Sequence, residues 1–546
     1  MATNVLSIGQ SALAAAQVGL GTTSHNIANA STPGYSRQVA IQGTALPQDF
    51  GFGFMGQGTQ VTTIRRVYND YLGVQMQSAQ ASKSSLDTYY AQIKQIDNML
   101  ADSTSGLSPS LQGFFSGIQT MASNPSNVPA RQAVLSSAET LAARFQGMAG
   151  QLDEMGQGVD SQIRSSVGAI NSYAQQIAHL NDAIGKAQRA TGQPANDLLD
   201  QRDQLVLDLN KEIKATVVKQ DDGAYNVFIG NGQPLVMGAT TSALVTQASP
   251  ADPTKIAVAY RANNGSTALI GDTSLAGGNL GGLLEFRSKT LEPAQNALGR
   301  VAIGLASSVN AQHRLGLDLN GNPGGDLFTL ASPAVYANAA NAGSATATAG
   351  VSDAGALTTS DYRLAFDGSN YTLTRLSDNT ATSFAPGALP QTVDGITVDV
   401  SGTPAAGDSF LVRPTANGAS GIGVAIGDPA LLAAAEPGGG VGDGRNALAL
   451  GALQTANTLG NGTTSFQGAY AQFVGEIGNK TRELEVTSSA AGNLLSQATQ
   501  SVQSASGVNL DEEAANLLRY QQAYQAAGKV MQIASQLFDV LLSIGR

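Results

Sequence analysis

Three groups of residues in this sequence have types and spacings that could support chemistry. The first is a trio of glycines, Gly51, Gly53 and Gly56, which satisfies the spacing of a dinucleotide-binding fingerprint. That fingerprint needs a strand before it, a helix beginning at its last glycine and an acidic residue that holds a ribose. The sequence pattern around the trio indicates none of these, so we predict a flexible loop and no nucleotide cofactor.

The second group lies in the segment DLNGNPGGDLFT, where Asp318, Asn320 and Asn322 mimic the first ligands of a calcium-binding loop. Pro323 stands where that loop needs glycine, and Thr329 stands where a bidentate glutamate should be. We therefore predict a turn-rich loop without a metal ion.

The third group consists of histidines and neighbouring acids. His25, His179 and His313 lie far apart in the sequence, with no visible constellation of carboxylates or thiolates around them. Asp221-Asp222 fits a hairpin turn, and the acids from Asp511 to Glu513 fit the first turns of a helix. The sequence thus predicts no catalytic residue, no cofactor-binding residue and no metal ligand, and we do not expect an enzyme.

Composition and charge exclude further classes of function. The formal net charge is -11 and the sequence pI is about 4.8, which argues against a nucleic-acid-binding surface. Cysteine is absent, so disulfides and thiolate metal sites are excluded. No apolar run approaches the roughly 18 residues of a membrane span. Because a positive n-region and a cleavage site are also missing, we expect either a cytoplasmic chain or one exported without cleavage.

The first 36 residues contain no Lys, Arg, Asp or Glu. Apolar and small residues recur there at helical spacing, which predicts a helix with one narrow apolar stripe. The stripe consists of Val5, Ile8, Ala12, Ala15, Ala16, Leu20, Thr23 and Ile27. The segment NIANASTPGYSRQ then ends this helix, and Pro33-Gly34 fits a type II turn in which glycine accepts a positive φ.

The period of the hydrophobic pattern changes several times along the chain. Helices are predicted at 70 to 100, 129 to 192, 194 to 212 and 280 to 314, and again from about 428. A period of two, with hairpin dipeptides Asp222-Gly223, Asn231-Gly232 and Asp367-Gly368, predicts antiparallel sheets at about 214 to 272 and 335 to 425. We therefore expect an α+β multidomain protein with an elongated helical body, inserted antiparallel β domains, and a coiled-coil-like core made from both chain termini.

We predict four units on this basis. Residues 1–45 and 505–546 are expected to form the two halves of a terminal coiled-coil domain. Residues 46–334 and 426–504 are expected to form a helical rod domain with a small β-sheet region at about 213–272. Residues 335–425 are expected to form an outer β domain.

The C-terminal segment carries the strongest helical signal. Asn509 can cap a helix whose first turns hold Asp511, Glu512 and Glu513, where negative charge meets the positive end of the helix dipole. A heptad-like seam follows: Leu510, Leu517, Tyr520, Tyr524, Ala527, Met531, Ala534, Phe538 and Leu541. Burying about ten such side chains contributes roughly 1.5 to 3 kcal/mol apiece, and only when a partner covers them.

The charge-free N-terminal helix is the natural partner of this seam. Two narrow seams still leave sides that carry Ala, Gln and Ser, which suit contact with further copies of the chain. We therefore predict that the termini pair and complete their burial in an assembly, folding when they bind. The alternative is an ordinary helical hairpin within one chain.

Both ends of the chain resemble signatures of the bacterial flagellar rod, hook and hook-associated axial proteins. The N-terminal resemblance rests on Leu13, Asn26, Ile27, Asn29, Thr32, Pro33, Gly34 and Tyr35. The C-terminal resemblance rests on Val508, Asn509, Leu510, Glu512, Glu513, Tyr520, Gln521, Tyr524, Gln525, Ala526 and Lys529. The length, the ending LFDVLLSI and the passage VNAQHRLGLDLNGNPGGDLF most resemble the hook-associated protein 1 family, whose members form the first junction between hook and filament.

This resemblance implies a structural adaptor that joins hook to filament and is required for filament assembly. It implies export through the flagellar type III apparatus without cleavage, and an extracellular location in the flagellum. The implied partners are further copies in a junction ring, the hook protein, a second junction protein and a cytosolic export chaperone on the C-terminal helix. It also implies that the terminal helices line the inner tube and that the turn after Ile27 directs the chain outward.

The residues expected to carry assembly lie in the two terminal helices and the turn between helix and body. They are Ile8, Leu13, Leu20, Ile27, Asn29, Pro33, Gly34, Tyr35, Leu510, Leu517, Tyr520, Tyr524, Met531, Phe538 and Leu541. Tyr35 and Arg37 are additionally expected to contact a neighbouring subunit. Two alternatives stay open at this point: a hook or distal rod protein of the same axial group, and an exported adhesin whose β domains bind a surface.

Overall fold

A computed structural model describes residues 2–49, 51, 53–101 and 106–544, with the side chains of residues 2, 3, 541, 542 and 544 outside that description. Over these residues the chain is an α+β protein with long terminal helices and several antiparallel sheets, which confirms the predicted fold class. None of the described helices combines the length and the apolar character that crossing a membrane requires.

The described α-helices lie mainly at the two ends of the chain and before the first large sheet. They are α1 (Ala2–Ala28), α2 (Asp70–Ala101), α3 (Leu107–Ser123), α4 (Val128–Thr191), α5 (Asn196–Glu212), α6 (Gly278–Phe286), α7 (Glu292–His313), α8 (Arg445–Ala452), α9 (Phe466–Ser506) and α10 (Leu510–Ile544). A π-helical turn, Arg287–Leu291, joins α6 to α7, and short 3₁₀ turns occupy Asp272–Ser274, Pro386–Ala388 and Pro429–Leu431.

The strands form antiparallel sheets in three regions of the chain. The first region holds β1 (Gln38–Thr44), β2 (Gln48–Asp49), β3 (Phe54–Met55) and β4 (Thr59–Arg66). The second holds β5 (Ala215–Lys219), β6 (Tyr225–Ile229), β7 (Gln233–Met237), β8 (Thr240–Thr241), β9 (Ala243–Ala248), β10 (Ile256–Arg261) and β11 (Thr267–Leu269). The third holds β12 (Phe328–Thr329), β13 (Ala334–Ala337), β14 (Thr346–Val351), β15 (Tyr362–Phe366), β16 (Tyr371–Arg375), β17 (Ala381–Phe384), β18 (Gln391–Val393), β19 (Ile396–Ser401), β20 (Ser409–Arg413) and β21 (Gly423–Val424).

Helix α4 is the backbone of the helical body and spans 64 residues. Its first turn is capped by Asn127, whose Oδ1 accepts a hydrogen bond from the backbone N–H of Ala130 at 3.0 Å. Its last turn ends at Gly192, which takes a positive φ of 65°. The apolar residues spaced by three or four along it, including Leu152, Ile163 and Ile170, are fully buried, so the predicted long helix is confirmed.

Three parts of the sequence prediction are wrong in detail. No helix begins near 428, because Pro437 and the glycines that follow it cannot continue one, and α8 begins only at Arg445. Helix α3 was missing from the prediction, as was the antiparallel hairpin of β1 and β4. Strands therefore do precede Gly51 and Gly53, but they belong to a hairpin rather than to a βαβ unit.

The small β region packs on α4 through two asparagines, the half-buried Asn171 and the buried Asn181, whose side chains bond to strand backbone as a neighbouring strand would. Asn171 donates from Nδ2 to the carbonyl of Leu244 at 2.8 Å and accepts from the N–H of Leu244 at 2.8 Å. Asn181 makes the same pair of bonds with Tyr225, at 2.9 and 3.0 Å. These bonds satisfy backbone groups at buried positions and fix the sheets against the helix. The predicted Asp222-Gly223 turn joins β5 to β6, where Gly223 takes a φ of 81°.

The third β region has a hydrophobic core of its own. Its strands form a five-stranded sheet in the order β13-β20-β15-β16-β17 and a three-stranded sheet in the order β14-β19-β18. Alternate residues such as Leu364, Leu373 and Val398 point into this core and are buried. Ile303 of α7 completes the core, so the sheets are anchored directly on the helical body.

A group of buried charges also fixes the third β region to the rest of the chain. Arg413 of β20 donates from Nε to Asp361 at 3.2 Å and from Nη1 to Asp252 of the small β region at 3.4 Å. Lys255 pairs with Glu292 of α7 at 2.7 Å. Because these charges are largely removed from water, losing one partner would leave the others buried and unpaired, which is strongly destabilising.

His313, the last residue of α7, bonds to two loops that lie far apart in the sequence. Its side chain is fully buried, Nδ1 donates to the carbonyl of Gly325 at 2.7 Å, and Nε2 accepts from the N–H of Ala433 at 2.9 Å. This pair of bonds requires the neutral ring. Burial lowers the pKa of His313, while Asp326 and Asp318 raise it and Arg131 lowers it. His313 is thus a structural residue of the core.

The buried neutral ring makes the stability of the protein dependent on pH. Because the folded-state pKa of His313 lies below the unfolded value of about 6.5, the unfolded chain binds more protons once the pH falls below that value. We expect the substitution His313→Gln to lower the free energy of unfolding by about 1 to 3 kcal/mol at neutral pH. When the pH falls from about 7 to 5, the free energy of unfolding should decrease less in the variant than in the wild type. Thermal unfolding followed by circular dichroism measures both effects.

The matched control for this experiment is His179→Gln, because His179 is exposed on α4. We expect that variant to keep the stability and the pH dependence of the wild type. Equal pH dependence in His313→Gln and the wild type would contradict the assignment.

Candidate assembly site at the paired chain termini

Helices α1 and α10 pack against each other in antiparallel orientation. Gly9 lies against Met531, and Gly19 lies against the ring of Tyr520. A Cβ built on Gly19 would come within 2.5 Å of that ring, and one on Gly9 within 2.9 Å of the Met531 Cγ. The two glycines therefore allow a closer approach of the helix axes than any other residue would permit.

The contact faces of the two helices are built from small residues. On α1 the buried positions include Ala15, Ala16 and Thr23, which the sequence placed in the apolar stripe. Gly9 and Gly19 are also buried, although no apolar pattern could reveal them. On α10 the deepest apolar residues are Ala527 and Ala534. The predicted pairing of the two termini is present within one chain.

The assembly residues predicted from the sequence occupy three kinds of position. Half-buried positions hold Ile8, Leu13, Leu20, Asn29, Tyr35, Leu517, Tyr520 and Met531. Exposed positions hold Ile27, Pro33, Gly34, Leu510, Tyr524 and Phe538. Leu541 lies on α10, but its side chain is outside the described part. None of the described members is fully buried, so their role in assembly stays a prediction.

The helix pair leaves a large apolar surface uncovered in the single chain. Its exposed members are Val5 and Leu6 on α1 and Leu518, Val530, Ile533, Leu537 and Val540 on α10. On α10 the last four, together with Ala526, follow a spacing of three or four and so share one side of the helix, at whose edge Val530 lies against Gly9 of α1. Contiguous exposed apolar surface of this kind marks an interaction site in soluble proteins.

The turn between α1 and the body has the geometry that the sequence predicts. Gly34 takes a φ of 77°, and the N–H of Tyr35 donates to the carbonyl of Thr32 at 3.2 Å, as in a type II turn. Asn29 donates from Nδ2 to the carbonyl of His25 at 3.0 Å and so closes the last turn of the helix. The turn brings Tyr35 back toward α1.

Asn26 is the centre of a buried polar cluster at this turn. Its Oδ1 accepts from the hydroxyl of Tyr35 at 2.7 Å and from the N–H of Gln38 at 2.9 Å. Its Nδ2 donates to the carbonyl of Gln38 at 2.9 Å and to Oε2 of Glu513 at 3.2 Å. One amide therefore ties α1, β1 and the first turn of α10 together.

Glu513 joins the C-terminal helix to the same cluster. Its side chain is 2% exposed, and Oε1 accepts from Nε of Arg37 at 2.7 Å. Nη1 of Arg37 also donates to Glu512 at 2.8 Å, and the N–H of Arg37 donates to the carbonyl of Ser506 at 2.8 Å. Asn509 caps α10, as predicted, by accepting from the N–H of Asp511 at 3.0 Å. We call Asn26, Tyr35, Arg37 and Glu513 the terminal joint.

Helix α5 carries the terminal joint on the helical body. The N–H of Ser36 donates to Asp200 at 2.9 Å, and Nε2 of Gln38 donates to Asp197 at 2.7 Å. Arg66 at the end of β4 bonds to Asp200 at 2.8 Å and to Asp203 at 2.6 Å. Burial raises the pKa of Asp200, although hydrogen bonds from Ser36 and Arg66 lower it.

The perturbed groups of this region are structural rather than reactive. Burial raises the pKa of Tyr35, and the charges of Asp197, Asp200 and Glu513 raise it further, so its hydroxyl stays a donor to Asn26. Within the chain, the hydroxyl of Tyr35 donates to Asn26 and Nε of Arg37 donates to Glu513, and the expected contact of these two residues with a neighbouring subunit stays a prediction. Sequence reasoning could not pair residues 487 positions apart, as Asn26 and Glu513 are.

The other residues considered for chemistry occupy ordinary positions. Within the described residues, no group of three or more His, Asp or Glu side chains could hold a metal ion. Asp318 accepts from the N–H groups of Asn320 and Asn322, each at 2.8 Å, so its carboxylate organises its own loop. His25 lies 3.4 Å from Asp197, away from His313 in the core.

Comparison with known proteins places these features in a family. Protein-family models match residues 6–35 (flagella basal body rod protein), 93–328 (flagellar hook-associated protein FlgK helical domain), 336–414 (flagellar hook-associated protein 1, D2-like domain) and 499–544 (flagellar basal body rod FlgEFG protein C-terminal). The chain is 40% identical to flagellar hook-associated protein 1 of Escherichia coli strain K12, with 98% of each chain covered. It is 42% identical to flagellar hook-associated protein 1 of Salmonella typhimurium, again with 98% of each covered.

The chain belongs to the flagellar hook-associated protein 1 family. The flagellar hook junction protein FlgK from Burkholderia pseudomallei has a similar solved structure, with a TM-score of 0.76 at 34% identity over 79% of this chain and 100% of that chain. The resemblance stated from the two terminal signatures is thereby confirmed. The hook and rod alternatives are set aside, because rod-type models match only the ends while hook-associated models match the centre.

As a hook-associated protein, the chain is a structural component of the flagellum. The rod-type models cover α1 from residue 6 onward with its turn and all of α10, which are elements that meet at the terminal joint. The hook-associated models cover the helical body and the third β region. At the terminal joint, the terminal segments matched by the rod-type models thus contact the helical body matched by the hook-associated model.

Substitution of the adjacent residues Glu513 and Glu512 tests the role of the buried carboxylate in the terminal joint. Glu513→Ala removes a buried carboxylate and leaves Arg37 and the Asn26 amide without that partner, so we expect a loss of about 3 kcal/mol in the attachment of α10. Amide hydrogen exchange on the full-length chain should show loss of protection in α1 and α10, with α4 unchanged.

Glu512→Ala is the matched control, because Glu512 binds the same Arg37 but is 57% exposed. We expect it to cost less than about 1 kcal/mol. Similar losses of protection in the two variants would show that Glu513 has no special role.

The close approach of α1 and α10 yields a second prediction. In Gly19→Ala the new methyl group overlaps the Tyr520 ring, so the helices must separate or the ring must swing out. We expect overpacking to cost about 1 to 3 kcal/mol and hydrogen exchange in α10 to accelerate accordingly. Gly21→Ala is the control, since a Cβ there meets nothing within 4 Å and should favour the helix by up to about 1 kcal/mol. Faster exchange in Gly21→Ala than in Gly19→Ala would contradict the packing argument.

Proposed function

We propose that this protein is the adaptor that joins hook to filament and that it polymerises through its terminal helices. The observation that carries the proposal is the apolar side of α10, where Ala526, Ile533 and Leu537 are exposed in the described chain and Val530 is only partly covered by Gly9 of α1. A single molecule gains nothing from exposing these side chains to water, whereas burial against another copy stabilises each by roughly 1.5 to 3 kcal/mol.

The partners follow from the family and from this surface. We infer that the chain assembles into a junction ring, contacts the hook protein on one side and a second junction protein on the other, and is bound by an export chaperone on α10 before assembly. Export through the flagellar type III apparatus and an extracellular position at the hook-filament junction complete the proposal. The relatives support this, since one is a flagellar hook junction protein and others are flagellar hook-associated protein 1.

We further infer that the predicted division into four units describes how the protein works. Residues 1–45 and 505–546 would form the assembling core, and residues 46–334 with 426–504 the body that carries the outer β domain, 335–425. Two separate hydrophobic clusters support a division between the body and the third β region. We propose no catalytic role, because the polar groups at the terminal joint are consumed by structural hydrogen bonds.

A single charge on the exposed side of α10 tests the proposal. We expect Ile533→Asp to fold normally, because Ile533 is largely exposed in the single chain, but to lose filament growth when it is the only copy in the cell. Fluorescent labelling of hooks and filaments on whole cells, with thermal unfolding of the purified chain, gives both readouts.

Gln532→Asp is the matched control, because Gln532 is an exposed neighbour on a different side of the same helix. It introduces the same charge and is expected to support filament growth. Normal filaments from Ile533→Asp would refute polymerisation through this side of α10.

A further inference from the structure

The tip of the hairpin formed by β1 and β4 presents two large apolar side chains to solvent. Leu46 is 87% exposed and Phe54 is 77% exposed, and the only charged residue between Thr44 and Thr59 is Asp49. Exposure of these side chains to water does not stabilise the hairpin, and exposed apolar side chains at a strand end favour association with another surface. The tip is therefore an unused contact surface of the single chain.

The hairpin lies along α1 and carries its tip away from the terminal joint. At its base, Gln38 bonds to Asn26 near the end of α1. Farther along, the N–H of Thr59 donates to Ser11 at 3.3 Å, and Asn4 donates to the sulfur of Met55 at 3.2 Å. Because the 22 residues between Asn4 and Asn26 span about 33 Å of helix, the tip lies roughly that far from the joint.

A second exposed apolar surface lies between α2 and α9. Helices α2 and α9 leave a groove of about 430 Å³ near the start of α2. Tyr71, Val74 and Leu494 line it and are largely exposed, and Ala491 and Ala498 form its floor. No Asp, Glu, Lys or Arg is among its lining residues.

We propose that the hairpin tip of one copy occupies the α2–α9 groove of the next copy in the assembly, with Phe54 and Leu46 against Tyr71, Val74 and Leu494. The proposal rests on the proposed function and names a contact of that assembly outside the α1–α10 pair. It adds the hairpin, which the sequence prediction treated as a loop, to the assembling surface.

Geometry selects a second copy as the occupant. The groove begins at Tyr71, five residues after the end of β4, so it lies beside the base of the hairpin, whereas the tip is at the far end. A tip cannot fold back along its own strands to reach its own groove. A contact between two different surfaces of identical chains is heterologous, and it continues from copy to copy in rings and helical assemblies.

Chemistry and position support the same occupant. Both surfaces are apolar and almost free of charge, so neither favours a charged partner. The tip also lies beside the N-terminal half of α1, where Val5 and Leu6 are exposed, and thus continues the apolar surface already assigned to assembly. One chain can therefore contact its neighbours through α10 and through the hairpin.

Cysteine crosslinking on assembled flagella tests the contact, and the chain offers a clean background because it has no cysteine. We expect the double variant Phe54→Cys/Leu494→Cys to give a ladder of disulfide-linked oligomers in isolated flagella and in concentrated purified protein. Phe54→Cys/Val486→Cys is the matched control, because Val486 is equally exposed on α9 two turns away, and it should stay monomeric.

Other crosslinking patterns would overturn the proposal. These are a link within one chain, dimers formed by Phe54→Cys alone, a link from Phe54→Cys to a different flagellar protein, or equal ladders from the control. If the wild-type chain is found at the hook-filament junction but the Phe54–Leu494 ladder is absent, this inference fails while the proposed function stands. If the chain is found elsewhere, the proposed function fails, and the ladder in concentrated protein decides the inference alone.

A substitution without crosslinking gives an independent readout. We expect Phe54→Asp to leave thermal unfolding unchanged and to lower incorporation into flagella roughly tenfold, the change that loss of one apolar contact produces. Unchanged incorporation would contradict the contact.

Discussion

The buried carboxylate of Glu513 is the interaction on which the placement of the terminal helices depends. It lies where α1, α10 and the body meet, and it is matched by Arg37 and by the amide of Asn26. A charge this far from water is stable only when its partners are in place. The terminal joint therefore specifies one register of α10 against α1, in which Gly19 meets Tyr520 and Gly9 meets Met531.

Packing in the rest of the molecule differs from packing at the termini. The helical body and the third β region each contain a core of fully buried Leu, Ile, Phe and Val residues. The paired terminal helices bury mainly glycine, alanine and threonine, and they leave their larger apolar residues exposed. Since small side chains contribute little burial energy, the terminal joint is important for holding the pair together. The body buries its large apolar residues within the single chain, whereas the terminal helices leave theirs half-buried or exposed.

Polar groups perform the positioning throughout the chain. Asn171 and Asn181 attach the small sheets to α4, and His313 at the end of α7 bonds to two loops. Arg413 of the third β region bonds to Asp252 of the small β region and to Asp361 of its own region. Each of these groups is hydrogen-bonded and all but the half-buried Asn171 are buried, so each is costly to misplace. They fix how the units sit on one another without forming a reactive centre.

Local signals in the sequence determined much of the secondary structure. The long apolar periodicity of α4, the hairpin dipeptides at Asp222-Gly223 and Asp367-Gly368, the Pro33-Gly34 turn and the Asn509 cap all act within a few residues, so composition and spacing reveal them. The hairpin of β1 and β4 escaped detection because glycines interrupt its alternation, and the expected helix near 428 failed because Pro437 and its glycines oppose it.

The assembly site was only half visible in the sequence. Its two helices and its lack of charge could be recognised, because they are properties of continuous segments. The bond between Asn26 and Glu513, the glycine contacts of α1 and the exposed side of α10 were decided by the tertiary structure alone. They depend on which distant residues meet and on which sides remain uncovered, and a linear pattern carries neither kind of information.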